Sequence, residues 1–112
     1  MPVDPIPRQV KNYQNGAGKV PFREWIATLD GTVRSRINVR IRRIAEYGSY
    51  GDCEPVGEGV YELRFDFGPG YRVYFQKIED LLVLLLVGGT KKTQDADIAK
   101  AKKLSKEAPN GS

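Results

Sequence analysis

Two runs in the second half of the chain hold the residues able to do chemistry: Gly59 to Gln76 (GVYELRFDFGPGYRVYFQ) and Val87 to Ala101 (VGGTKKTQDADIAKA). Alternation in the first sends Tyr61, Leu63, Phe65 and Phe67 to one face and Glu62, Arg64 and Asp66 to the other. After a reversal at Gly68-Pro69-Gly70, Tyr71, Val73 and Phe75 alternate against Arg72, Tyr74 and Gln76. If those three residues form the turn, Phe65 faces Val73 on the core side. On the polar side Asp66 then faces Arg72, Arg64 faces Tyr74 and Glu62 faces Gln76. The second run carries a buried strand through Gly88-Gly89-Thr90-Lys91-Lys92 into a basic helix. Arginines, lysines, a carboxylate and a phenol on one rigid sheet make a small cationic platform suited to a phosphodiester.

The same residues also have a purely structural reading. Asp66 with Arg72, and Glu62 with Arg64, read as cross-strand ion pairs worth roughly 0.2–1 kcal/mol each when exposed. The aromatic series Tyr61, Phe65, Phe67, Tyr71 and Phe75 reads as core, because its face must pack against helices. Gly88-Gly89 lacks the spacing of a phosphate-binding loop and reads as backbone geometry.

Composition excludes several other chemistries. With no histidine and Cys53 as the lone cysteine, an internal disulfide is impossible and the usual zinc and iron ligand sets cannot be assembled. No metal and no cofactor are expected, and Cys53 reads as a packed residue rather than a nucleophile. A net charge of +4, from 18 Lys and Arg against 14 Asp and Glu, favours an anionic partner. The first residues, MPVDPIPRQV, carry no apolar stretch resembling a signal peptide. The longest apolar run, Leu81 to Val87, is far short of the ~20 residues needed to cross a bilayer. The expected location is therefore the cytoplasm, away from any membrane.

The elements that must position the platform follow from periodicity. Pro2, Pro5 and Pro7 keep the start extended, and Gln9 to Gln14 predicts a short edge strand before the Asn15-Gly16-Ala17-Gly18 turn. Pro21 suits the first turn of a helix carrying Phe22, Trp25, Ile26 and Leu29. Asp30-Gly31-Thr32 breaks it and caps a second helix over about Val33 to Tyr47. That helix buries Val33, Ile37, Ile41 and Ile44 and ends at Gly48. Its Arg34, Arg36, Arg40 and Arg43 read as a solvated face. A loop containing Gly48, Gly51 and Gly57 leads to the hairpin, and a turn at Glu79-Asp80 leads out of it. The unbroken apolar run Leu81 to Val87 predicts a strand covered on both faces, so helices must lie over the sheet. A last helix, about Gln94 to Lys106, buries Ile98, Ala101 and Leu104. The prediction is one α+β domain over residues 1–106, with 107–112 (EAPNGS) a disordered tail.

The segments GVYELRFDFGPGYRVYF and LLLVGGTKKTQDADIAKAKKL, together with Phe22 to Leu29 and its Trp25, resemble the RelE/ParE superfamily of toxins from type II toxin–antitoxin modules. The closest likeness is to the HigB-like branch, also called addiction module killer proteins, and it covers roughly residues 8 to 105. The resemblance implies a compact α+β fold with an N-terminal strand and helical hairpin on an antiparallel sheet and a C-terminal helix. It implies an mRNA interferase, a metal-independent endoribonuclease that cuts messenger RNA on translating ribosomes and inhibits translation. It further implies a cognate antitoxin, often a helix-turn-helix protein, through which alone the toxin meets operator DNA.

Carried over residue by residue, the resemblance gives Arg72 the role of phosphate-binding arginine. It sets Arg64 at a basic strand position that is lysine in RelE. Glu62 stands where the family has another basic residue, and reads either as the proton acceptor or as an orienting group for Arg64 or Gln76. Lys91 or Lys92 supplies the basic residue after the last strand. The family's C-terminal tyrosine has no counterpart in Gln94 to Ser112, and Tyr74 is the candidate substitute. The expected RNA contacts are thus Arg64, Arg72, Tyr74, Lys91 and Lys92. Two other activities stay open on the same fold: a ParE-like inhibitor of DNA gyrase, which needs no general base, and a relic that keeps antitoxin binding without toxicity.

Overall fold

Five strands and three helices build the chain in the computed structural model, which describes residues 6–79 and 81–108. In order these are β1 (Gln9–Asn12), α1 (Pro21–Ile26), α2 (Gly31–Tyr47), β2 (Cys53–Gly57), β3 (Val60–Arg64), β4 (Tyr71–Ile78), β5 (Leu82–Thr90), a 3₁₀ turn at Lys91–Thr93, and α3 (Gln94–Glu107). The sheet runs β1-β5-β4-β3-β2. Among the described residues only the β1–β5 pairing is parallel.

Local chemistry explains the helix limits. Pro21 opens α1, where its missing N–H leaves no bond unmade. The Asp30 carboxylate accepts from the Val33 amide at 3.0 Å and so starts α2. Gly48, at φ 67°, stops α2 in the left-handed conformation that costs glycine little.

The sheet is covered on both sides, as the apolar β5 run requires. On one side Phe22 of α1 and Ile37 and Ile44 of α2 pack on Leu63, Phe65, Val73, Phe75, Val83 and Leu85 of the sheet side. On the other, Ala101 and Leu104 of α3 pack with Tyr13, Val60, Tyr74, Leu84, Leu86 and Val87. The β4–β5 ladder shifts between Tyr74 and Phe75, which lets Leu86 and Val87 both join the α3 side.

Several expectations are corrected. The β3–β4 register differs by two residues from the predicted one: Arg64 faces Arg72, Leu63 faces Val73, Glu62 faces Tyr74 and Val60 faces Gln76. The reversal is a wider loop, in which Phe65 N–H donates to Tyr71 O at 3.0 Å and Gly70 N–H to Phe67 O at 3.1 Å. Gly68 and Gly70 at φ 56° and 76° make that loop possible. Because the shift is even, every side chain stays on its predicted face.

The supposed glycine-rich loop contains β2, whose Pro55 and Gly57 hide it; an edge strand tolerates both. Gly88-Gly89-Thr90 belongs to β5 rather than to a loop. There a Cβ on Gly88 would lie 2.2 Å from the Trp25 ring, and one on Gly89 1.8 Å from Asp97 Oδ2. Close packing, not a phosphate cradle, requires the two glycines. The N-terminal strand stops at Asn12, two residues before the predicted end. At the other end α3 continues through Glu107 and Ala108 is buried, so these two residues do not belong to the expected tail. Residues 109–112, the first two prolines and Asp80 lie outside the described residues.

The arginine face of α2 is not wholly solvated either. Arg40 donates to the backbone oxygens of Arg64, Tyr50 and Asp52 and lies over the Phe65 ring at 4.5 Å. Burial lowers its pKa, yet it stays a cation that ties the end of β3 to the segment before β2. Arg36 sits 3.6 Å above the Phe67 ring.

Candidate phosphate-binding cleft

Arg64 ends β3 and Arg72 is the second residue of β4, so the observed register sets the two directly opposite each other. Both line a cleft of about 370 Å³ together with Lys91, the Gly68-Pro69-Gly70 loop, Asp52 and Asp66. Lys91 is brought there by its own backbone, whose N–H donates to Gly70 O at 2.8 Å. A Cβ on Gly70 would lie 3.3 Å from that of Lys91 and 3.5 Å from Arg72 Nη1, so glycine keeps this corner open. Arg72 Nη1 donates to the carbonyls of Gly70 and Tyr71 at 3.3 and 3.2 Å, and its side chain is only 12% exposed.

Beneath the arginines lies a saturated carboxylate. Glu62 has no exposed surface. Its Oε1 accepts from Arg64 Nε at 2.8 Å, and its Oε2 accepts from Tyr74 OH at 3.0 Å and from Gln94 Nε2 at 2.7 Å. Arg72 Nε is 3.8 Å from Oε1, an ion pair too long to be a hydrogen bond, and that buried N–H has no acceptor. Burial alone would push the Glu62 carboxyl up, but the bonds from Arg64, Gln94 and Tyr74 and the charge of Arg72 outweigh it. They hold Glu62 below the usual carboxylate range. Burial and the neighbouring Glu62 charge push the Tyr74 phenol far the other way, keeping it neutral.

The residues singled out in the sequence therefore divide. Arg64, Arg72 and Lys91 meet at the cleft, while Lys92 is exposed and does not line it. Glu62 and Tyr74 converge on the same spot but from below, and both are fully buried. Tyr74 was expected to show its hydroxyl on an open polar face; α3 covers that face here. The predicted Asp66–Arg72 pair is not among the ion pairs of the described residues, and Glu62 stands nearest Arg72 instead. Glu62 meets Tyr74 rather than Gln76, whose Oε1 is buried without a partner. Sequence reasoning missed Gln94, which lies 32 residues beyond its partner Glu62. It also missed Asp52, brought in by the unrecognised β2. Neither has a local signal, because both arrive by tertiary packing.

A larger hollow, about 600 Å³, is lined by Lys19, Glu24, Trp25, Gly88, Asp97 and Lys100 among others. Its charges balance and no strand arginine reaches it, so convergence of cations rather than size selects the smaller cleft. Among the described residues no cluster of three or more Cys, Asp or Glu is placed to hold a metal ion. Cys53 is half-buried, and burial pushes its thiol up. No helix of the described residues is long and apolar enough to cross a membrane.

Comparison with known proteins adds three findings. The family model described as phage-derived protein Gp49-like (DUF891) matches residues 24–106. An uncharacterized protein of Haemophilus influenzae is 45% identical over 87 residues, covering 77% of this chain and 87% of that protein. Among solved structures, a double arginine mutant of the Escherichia coli toxin RelE in the free state superposes with a TM-score of 0.57 at 17% identity. That match covers 92% of this chain and 95% of the other, and shows a shared fold.

Proposed function

The chain belongs to the phage-derived Gp49-like family (DUF891), which places it among the RelE/ParE-like toxins of toxin–antitoxin modules, and on that premise we propose that it cleaves messenger RNA on translating ribosomes. The observation that carries this reading is the convergence of Arg64, Arg72 and Lys91 on one cleft. In the proposed reaction the RNA 2′-oxygen attacks the adjacent phosphorus and the bond to the 5′-oxygen breaks. The 2′-hydroxyl loses a proton, the departing 5′-oxygen gains one, and a 2′,3′-cyclic phosphate is left. Arg64 and Arg72 supply the positive charge that the pentavalent phosphate demands, in a site where most of one guanidinium is shielded from water. Lys91 adds a third cation at the mouth; Lys92 and Tyr74 play no direct part. No step calls for a metal ion or cofactor.

The partners follow from the same charge. A cognate antitoxin, of helix-turn-helix type, covers the cationic cleft and links the toxin to operator DNA; the ribosome and its message are the targets, in the cytoplasm. Primer extension on transcripts after induction tests the reading. Discrete cleavage within translated messages is expected, and its absence would overturn it. One observation favours the ParE-like alternative: Glu62 and Tyr74, the candidate proton-transfer groups, are both buried, and a gyrase-blocking binder needs neither. A gyrase supercoiling assay on the purified protein decides between the two.

A further inference from the structure

We infer that Glu62 and Gln94 are positioning residues: the buried Glu62 carboxylate fixes the guanidinium groups of Arg64 and Arg72 on the cleft, and Gln94 at the start of α3 fixes Glu62. The kinetic part of this inference rests on the endonuclease reading above; the structural part does not.

Each contact on Glu62 has a separate origin. Arg64 reaches it from two residues along β3, Tyr74 from the facing position of β4, and Gln94 from α3 on the covered side of the sheet. Every neighbour is a donor, so the carboxylate lies among groups that favour its charged form and has no open side from which to take a proton. A 2′-hydroxyl in the cleft cannot reach it, since none of its surface is exposed. This geometry suits the carboxylate to orienting the guanidiniums rather than to accepting a proton. The two arginines are held differently. Arg64 Nε is bonded to Glu62 at 2.8 Å, whereas Arg72 Nε meets Glu62 by charge alone at 3.8 Å while its Nη1 is bonded to the carbonyls of Gly70 and Tyr71. Glu62 thus orients Arg64 through a hydrogen bond and Arg72 through charge.

Gln94 matters because it is neutral. The charged and titratable groups around the carboxyl are Arg64 from β3, Arg72 and Tyr74 from β4, Asp97 from α3 near Tyr74, and Glu54 from β2 beyond Arg64. A glutamate in place of Gln94 would put two carboxyls at 2.7 Å, which must share a proton. The glutamine thus supplies a donor without adding a second titration.

Nitrogen-15 NMR of arginine Nε–H groups in the free protein, at near-neutral pH, reads the structural part directly. The wild type is expected to show a slowly exchanging, downfield Arg64 Hε. In Glu62→Gln and Gln94→Ala that proton should exchange on the order of tenfold faster or more, with the thermal melt still cooperative. In cleavage assays Gln94→Ala should lower kcat by about tenfold with KM within about threefold, as for a lost orienting contact. Gln94→Glu should bring a new ionisation into the rate profile between about pH 5 and 8, absent from wild type. Should Gln94→Ala fold poorly, Gln94→Glu, nearly isosteric, carries the test alone. Unchanged Arg64 exchange in both Glu62→Gln and Gln94→Ala would overturn the inference. So would a Glu62→Gln enzyme that loses only the acidic limb of its rate profile while its arginine signals stay in place, since that marks a base. If wild type cuts no message yet Arg64 exchange still depends on Glu62 and Gln94, the endonuclease reading fails and the positioning pair stands.

Discussion

Glu62 and Tyr74 face each other across β3 and β4, and the Tyr74 hydroxyl donates to Glu62 Oε2 at 3.0 Å in a contact sealed from solvent. Two groups that looked able to move protons for a substrate are thereby committed to each other. The cleft above them is lined by Arg64, Arg72 and Lys91, with Asp52 and Asp66.

Arg72→Ala is expected to lower transcript cleavage by on the order of 10²-fold or more, and Arg64→Ala by a comparable or smaller factor. The double variant should be less than additive if both guanidiniums serve one phosphate. Arg64→Ala should also lower the melting temperature, since it strips a donor from buried Glu62. Primer extension with parallel thermal melts checks both effects; folded single variants that cut at the wild-type rate would remove the assignment.

Lys91→Ala and Lys92→Ala should differ. Lys91 lines the cleft and Lys92 does not, so the first should lose about tenfold or more in cleavage while the second stays within about twofold. Equal losses would mean that the two lysines act only through diffuse charge, whose contribution would also fall steeply with salt.

The adjacent glycines of β5 should respond unequally to alanine. At Gly88 the new methyl meets the Trp25 ring at 2.2 Å, a packed aromatic that must move bodily. At Gly89 it meets the end of the Asp97 side chain at 1.8 Å, which can rotate away. Gly88→Ala should cost about 1–3 kcal/mol in urea denaturation and Gly89→Ala less, as overpacking arguments require. The reverse order would contradict this account of the strand.

The buried pair also sets a pH dependence at both ends. Glu62 has a folded pKa below its unfolded one, so its contribution is present above the ordinary carboxylate value of 4.5 and is lost as pH falls through the folded pKa. Glu62→Gln should therefore lose less stability than wild type between about pH 5 and 3. For Tyr74 the folded pKa is raised, so its contribution is full below pH 10 and is lost as pH rises toward the folded value. An ultraviolet titration should show Tyr13 and Tyr74 ionising above the ordinary phenol value of 10. Ionisation of Tyr74 at the ordinary phenol value in the folded protein would refute the burial of this pair.

What the sequence determined by itself was local. Pro21, Asp30 and Gly48 delimit the helices through caps and dihedral preferences that depend on near neighbours. Period-two alternation put Leu63, Phe65, Val73 and Phe75 on one face and Glu62, Arg64, Arg72 and Tyr74 on the other, and an even register shift could not disturb that parity. The unbroken apolar run of β5 required a sheet covered on both sides. Tertiary structure decided the rest. Where β3 meets β4 depends on how Gly68 and Gly70 close a loop, and that placed Arg64 opposite Arg72. The packing of α3 turned a face that reads as polar into a buried one, because Ile98, Ala101 and Leu104 need apolar cover and bring Gln94 onto Glu62 as they find it. Composition and spacing could nominate Glu62 as a base; that it is buried and bonded to Gln94, 32 positions away, only packing decides.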